Sequence, residues 1–202
     1  MSRFVAVMAA LLCTTASAGE LAADVRARLA DAPVLRGAFE QQKTVAGFKK
    51  PLVSRGDFLV VRDQGVLWNT RKPFASTLAL TRKSLAAEHE AGGARFHLES
   101  SREPALAAVN ELLLALVSGD MDVLAKRFRV EGSLDGEKGW KLKLTPTDAG
   151  VSRIFRRVQL EGDQYVRRVE LEEVRGDATV ILFDALAQTP PPNSTEAERL
   201  AK

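Results

Sequence analysis

VLRGAFEQQKTVAGFKKPLVSRGDFLVVRDQGVLWNTRKPFASTLAL, residues 34–80, decides how this chain folds. Over residues 36–43 the side chains alternate, with Gly37, Phe39 and Gln41 on one face and Arg36, Ala38 and Glu40 on the other. Residues 56–62 repeat the pattern: Phe58, Val60 and Arg62 share one side, and Asp57, Leu59 and Val61 the other. A period of two is the mark of a strand. Asp63-Gln64-Gly65 supplies a turn. Val66 and Trp68 then alternate in a short segment, and Phe74, Ser76, Leu78 and Leu80 line one face of residues 74–80. The stretch predicts three or four antiparallel strands with one apolar face.

Downstream, weaker strands are expected at residues 84–89 and 94–98, split by Gly92-Gly93. Residues 103–117, EPALAAVNELLLALV, then change period. Pro104 is tolerable in the first turn of a helix, and Ser118-Gly119 ends it. Asp120 can cap a second helix over residues 121–127, with Asp122 near its positive end. Leu106, Val109, Leu113, Leu116 and Val117 mark one apolar face of the first helix, and Leu112 and Leu114 widen it. Such a face suits a helix buried on most sides or one laid over an apolar cavity as a lid.

Hairpins resume beyond it. Residues 129–134 precede an Asp135-Gly136 turn, after which Trp140, Leu142 and Leu144 alternate with Lys141, Lys143 and Thr145. Residues 153–160, 165–174 and 179–185 complete a meander through turns at Gly162-Asp163 and Gly176-Asp177. Val169 and Leu171 face one way in one strand, as do Ile181 and Phe183 in the last. Ahead of the strands, Leu21, Val25 and Leu29 fall on one side of a helix at residues 21–30. The polar, Pro-rich residues 190–202 are expected to form a flexible tail. The fold class is mainly β with helices: an incomplete antiparallel barrel of about eleven strands in one domain, residues 19–189. Its concave face must be filled by side chains, by helices or by a ligand.

The first 18 residues carry Arg3, a short apolar core at residues 4–12 and Ala16-Ser17-Ala18. They are expected to act as a secretion signal cleaved after Ala18. The alternative, lipidation at Cys13, places Leu12 where a small residue is wanted. Cleavage also removes the only cysteine, so the exported domain has no disulfide, thiolate or cysteine-based metal site. No later segment is long and apolar enough to cross a bilayer, so a soluble protein is expected. The 29 basic and 26 acidic residues leave a small positive excess, too weak to argue for nucleic acid. Basic pairs recur at Lys49-Lys50, Arg71-Lys72, Arg82-Lys83, Lys126-Arg127, Arg156-Arg157 and Arg167-Arg168. Solvated charge is their ordinary role, and contact with acidic headgroups or an acidic partner is the alternative.

Catalytic chemistry finds little to use. Only His89 and His97 offer imidazole, and the Glu88-His89-Glu90 neighbours point to opposite faces of a strand. Neither a nucleophile elbow, a phosphate loop nor a His-Glu-x-x-His motif is present. Arg55-Gly56-Asp57 opens a strand and is no adhesion motif here. A non-enzymatic protein without metal or cofactor is expected.

Phe39-x-Gln41, Ser54-x-Gly56-Asp57-Phe58, Val61-Arg62 before a turn, Leu67-Trp68 and Pro73 resemble the N-terminal half of the LolA family. The second half, with Gly139-Trp140-x-Leu142-x-Leu144-Thr145-Pro146 and Gly176-Asp177-x-Thr179, is similar to LolA-like proteins too. Those are periplasmic carriers that move lipoproteins from the inner to the outer membrane. The resemblance implies an open barrel whose apolar concave face, covered by helices, receives acyl chains. It implies the periplasm as location, an inner-membrane transporter and an outer-membrane acceptor as partners, and a monomer. It also implies that Arg62 reaches inward and latches the helical lid until cargo arrives; the alternative is that Arg62 points to water. The expected cavity lining is Phe58, Val60, Trp68, Leu78, Leu80, Trp140, Leu142, Leu144, Ile181 and Phe183, with Leu113, Leu116 and Val117 from the lid. Ordinary core is the competing role for each. The Arg-Pro pair common in the family is Arg62-Asp63 here, and the lid region is richer in Leu and Ala. The same fold could therefore serve a lipid or glycolipid exporter, or act as an envelope adaptor for a protein partner.

Overall fold

In the computed structural model, which describes residues 18–81, 83–89, 96–99, 114–115 and 119–201, the alternating segments become strands. In the first half these are β1 (Val34–Thr44), β2 (Leu52–Val61), β3 (Gly65–Lys72), β4 (Ser76–Thr81), β5 (Ser84–His89) and β6 (Phe96–Glu99). The second half supplies β7 (Phe128–Asp135), β8 (Gly139–Pro146), β9 (Phe155–Gly162), β10 (Val166–Glu173) and β11 (Ala178–Ala187). Among the described residues four helices accompany them: α1 (Ala18–Arg28), α2 (Met121–Arg127), α3 (Ala149–Ser152) and α4 (Ser194–Leu200). Residues 1–17 of the expected signal, and all but residues 114–115 of the expected helix at 103–117, lie outside the described residues. Lid residues Leu113, Leu116 and Val117 are among the latter.

All eleven strands belong to one antiparallel sheet ordered β6-β5-β4-β3-β2-β1-β11-β10-β9-β8-β7. Two meanders thus meet where β1 pairs with β11, at Phe39 opposite Phe183 and Gln41 opposite Ile181. β6 and β7 end the order, so the sheet stays open, as the incomplete barrel requires. On the concave side the apolar rungs run strand to strand. Phe58 lies opposite Trp68, and Val60 opposite Val66. Leu142 lies opposite Leu160, and Leu144 opposite Val158. Leu21 and Val25 of α1 and Met121 and Leu124 of α2 pack into the same buried cluster. α2 begins as expected, with the Asp120 carboxylate accepting from the Val123 N–H.

The convex side corrects two expectations. Strands with only one apolar face were expected, yet Leu59, Val61, Leu67 and Ala79 form a second buried cluster on the opposite face. Leu200 of α4 closes that cluster. The C-terminal segment is accordingly not a flexible tail over residues 190–202: it carries a helix whose start is a capping box. The Asn193 side chain accepts from the Glu196 N–H at 2.9 Å, and Glu196 accepts from the Asn193 N–H at 2.9 Å. Arg36 holds the segment to β1. Its guanidinium donates to both Glu196 carboxylate oxygens, at 2.9 and 2.7 Å, and to the carbonyls of Pro190 and Pro191. Both partners are largely shielded, and a bidentate, half-buried pair is stronger than an open surface pair.

Leu200 is 5% exposed. Leu200→Ala should therefore cost about 2–4 kcal/mol, read as a lower denaturant midpoint with unchanged slope. Acid should loosen the same helix. The hydrogen bond from Arg36 holds the Glu196 carboxyl below its ordinary value of 4.5. A carboxylate depressed in the folded state stabilises above its unfolded value and loses that contribution as pH falls through the folded one. Wild type should thus lose stability below pH 4.5 more steeply than Glu196→Gln, as thermal melts across that window would record.

Candidate functional site

Four aromatic rings occupy the middle of the concave face. Phe39 stacks on Trp68 with centroids 3.8 Å apart, and Phe58 meets Phe183 edge-on at 5.1 Å. Trp68 and Phe183 also meet edge-on, at 6.0 Å. Such arrangements add to the burial of the rings themselves. Two glycines make the cluster possible. Phe39 lies opposite Gly56, and Gly37 opposite Phe58. A Cβ at Gly56 would stand 2.9 Å from the Phe39 ring and 1.9 Å from the Asn69 carbonyl oxygen. A Cβ at Gly37 would stand 2.8 Å from the Phe58 ring. Each ring lies over the bare backbone of its neighbour, which is how Phe39 crosses β2 to reach Trp68 on β3.

Nine of the ten expected lining residues fall in or against the concave cluster. Phe58, Val60, Leu80, Trp140, Leu142, Leu144 and Phe183 are buried in it, and Trp68 and Ile181 pack against it partly buried. Leu78, opposite Trp68 in the ladder, is half-buried. The indole N–H of Trp140 donates to the Asp163 carbonyl at 2.6 Å. Seven of the ten are buried core, and Val60 also borders open space.

That open space is a cleft of about 1000 Å³ at the end of the sheet where the β2–β3 and β9–β10 turns meet α1 and α2. Leu35, Val60, Leu114, Met121 and Val166 give it an apolar floor, and Arg26, Asp31, Arg62, Asp63, Asp122 and Arg127 a charged rim. Its size falls at the upper end of ordinary ligand sites. Sequence patterning did not indicate it, because its walls come from turns and helix ends far apart in the chain.

Arg62 sits on this rim. β2 ends at Val61, and the Arg62 side chain, 46% exposed, pairs with Asp31 between α1 and β1. Its N–H donates to the Pro33 carbonyl at 2.9 Å. The alternation extrapolated through residue 62 stops one residue short, because the backbone turns there. Across the cleft, Arg26 pairs with Asp122 at 2.6 Å, linking α1 to α2. Both pairs are largely exposed, so each contributes about 0–1 kcal/mol. These two rim pairs are weak contacts.

Among the described residues, no group of three or more His, Cys, Asp or Glu side chains is placed to hold a metal ion. Gly56→Ala should destabilise by roughly 2 kcal/mol or more, since the Asn69 carbonyl is backbone and β3 must move to admit a methyl group. Thermal unfolding monitored by near-ultraviolet circular dichroism would register both the lower midpoint and a disturbed Trp68 signal.

Residues 15–200 match the family model described as outer membrane lipoprotein carrier protein LolA-like. No protein of curated function matches the sequence. Among solved structures, the chain is similar to a DUF1329 family protein from Desulfovibrio piger. That pair is 11% identical, with 88% of this chain and 94% of that one covered and a TM-score of 0.51. It is also similar to an uncharacterized conserved protein from Thermus thermophilus, 12% identical, covering 89% and 92% with a TM-score of 0.50. A LolA superfamily protein from Nitrosomonas europaea aligns over 89% of this chain and 96% of its own, at 10% identity and a TM-score of 0.46. At such identities the likeness concerns the fold alone. With a family match running from residue 15 to residue 200, the chain belongs to the LolA-like family.

Proposed function

We propose that this protein is a periplasmic carrier that takes up the acyl chains of a lipoprotein, or of a related lipid or glycolipid, and moves them from the inner to the outer membrane. One observation carries the reading: a LolA-like chain has its concave aromatic cluster next to an apolar-floored cleft with two weak ion pairs on its rim. The donor is then an inner-membrane transporter and the acceptor an outer-membrane receptor. Residues 1–18 are the export signal in this reading. Among the described residues no helix is long and apolar enough to cross a membrane.

The mechanism needs no covalent step. An acyl chain enters between the sheet and the helices over it, and each CH₂ removed from water contributes about 0.8 kcal/mol. The contacts it displaces among Phe58, Trp68, Leu80 and Phe183 offset part of that gain. Net affinity stays moderate, as a carrier that must release its cargo requires. Arg62 acts as the latch in this reading: released from Asp31, its guanidinium bonds to carbonyls of the helical lid that includes Leu113, Leu116 and Val117. A guanidinium facing that interior needs such partners, because an unpaired buried charge costs several kcal/mol.

A fluorescent fatty-acyl probe should bind the purified protein saturably, and Trp68→Ala should weaken binding roughly tenfold, about 1.4 kcal/mol. Absence of saturable binding would contradict the carrier role. Arg62→Leu should keep the fold and alter the rate at which bound probe leaves; a wild-type release rate sinks the latch. A second reading, an adaptor for a protein partner, draws on the charged rim of the cleft. It predicts a protein that ignores the probe.

A further inference from the structure

The end of the sheet opposite the cleft exposes large apolar side chains where a folded protein ordinarily hides them. Phe48, in the β1–β2 loop, is 69% exposed, and Phe74, in the β3–β4 turn, is 79% exposed. Leu52 and Val53 at the start of β2 are 61% and 39% exposed. Val174 and Ile154 extend the same edge at 45% and 38%. Chain topology places them all at one end. β1 ends, β2 begins, β3 ends and β4 begins there, and Lys43 opposite Leu52 and Arg55 opposite Lys72 fix the register.

The elements that carry them are joined. The Ala46 N–H donates to the Asp177 carboxylate at 3.0 Å, tying the Phe48 loop to the β10–β11 turn. The Val174 N–H donates to the Ile154 carbonyl at 3.0 Å, tying that turn to the segment before β9. The rim is therefore continuous, and its apolar tips project from hairpins. Separate apolar tips on hairpin ends suit a planar, fluid surface.

Charge completes the picture. Three carboxylates near this end are ion-paired, two of them sharing one lysine. Glu173 and Asp177 pair with Lys43 at 3.1 and 3.5 Å, and Asp57 with Arg71 at 2.7 Å. Lys49, Lys50 and Lys72, beside the exposed phenyl rings, enter no salt bridge among the described residues, and all three are exposed. Free cations flanking aromatic tips are what anionic headgroups and the interfacial layer beneath them recognise.

We infer that this end of the sheet docks on an anionic bilayer surface, with Phe48 and Phe74 entering the interface and Lys49, Lys50 and Lys72 contacting lipid phosphates. The docked protein keeps its cleft turned away from the bilayer and open to other partners. This goes beyond the carrier reading and does not depend on it, since the surface acts without cargo.

The test is co-sedimentation of the mature protein with vesicles of phosphatidylcholine alone or in equal parts with phosphatidylglycerol. Binding to the anionic vesicles should fall steeply with added salt. Replacing the three lysines by Gln should weaken it roughly fivefold for each residue, and Phe48→Ser with Phe74→Ser should abolish it. In an otherwise wild-type chain, Phe74→Trp should add a fluorescence component that shifts to the blue on anionic vesicles and is quenched by brominated lipid. No sedimentation with either vesicle overturns the inference, as does binding that survives loss of both phenylalanines; a surface kept for a protein partner gives the first result. Acyl-probe uptake should be unchanged in the Phe48/Phe74 variant, so failure here is distinct from failure of the carrier reading.

Discussion

A sheet that does not close, and whose central strands are apolar on both faces, must be covered twice. Phe58, Leu59, Val60 and Val61 are four consecutive buried residues of β2, two on each side. Alternation cannot present all four to one core. The concave side is covered by α1 and α2, and the convex side by α4, whose Leu200 meets Leu59, Val61, Leu67 and Ala79. The Arg36–Glu196 pair and the capping box matter because a helix of seven residues has little stability alone.

The two covers differ in kind. α4 is held by a shielded bidentate pair and by carbonyl contacts from Pro190 and Pro191. On the concave side, two rim pairs, Arg26 with Asp122 and Arg62 with Asp31, are exposed. Exposed pairs contribute little. α4 is therefore a structural cap, whereas two of the ties at the concave margin are weak. Behind that margin lie rings whose packing depends on Gly37 and Gly56, side chains that can exchange one apolar neighbour for another.

Much of the sheet was legible in the sequence, because hairpins announce themselves twice: by period-two alternation and by turns such as Asp135-Gly136 and Gly176-Asp177. The concave rungs followed from that alternation, and the second helix from its Asp120 cap. The convex cluster did not, although the uninterrupted run from Phe58 to Val61 signals a strand buried on both faces. α4 was hidden by composition: its prolines and charges suggest a tail, whereas Asn193-Ser194-Thr195-Glu196 carries a helix start. The inward face read for Arg62 came from extending the alternation one residue past Val61, where β2 ends. The cleft had no sequence signature, since turns and helix ends from four regions build it.

Carriage of acyl chains on the concave face is the proposal on which the function rests. Its most direct test is native mass spectrometry of the mature protein taken from the periplasm without detergent, followed by organic extraction of what it holds. A bound acylated species whose mass identifies the cargo class is the expected result. A protein that emerges empty, and stays empty after exposure to inner-membrane lipids and lipoproteins, contradicts it.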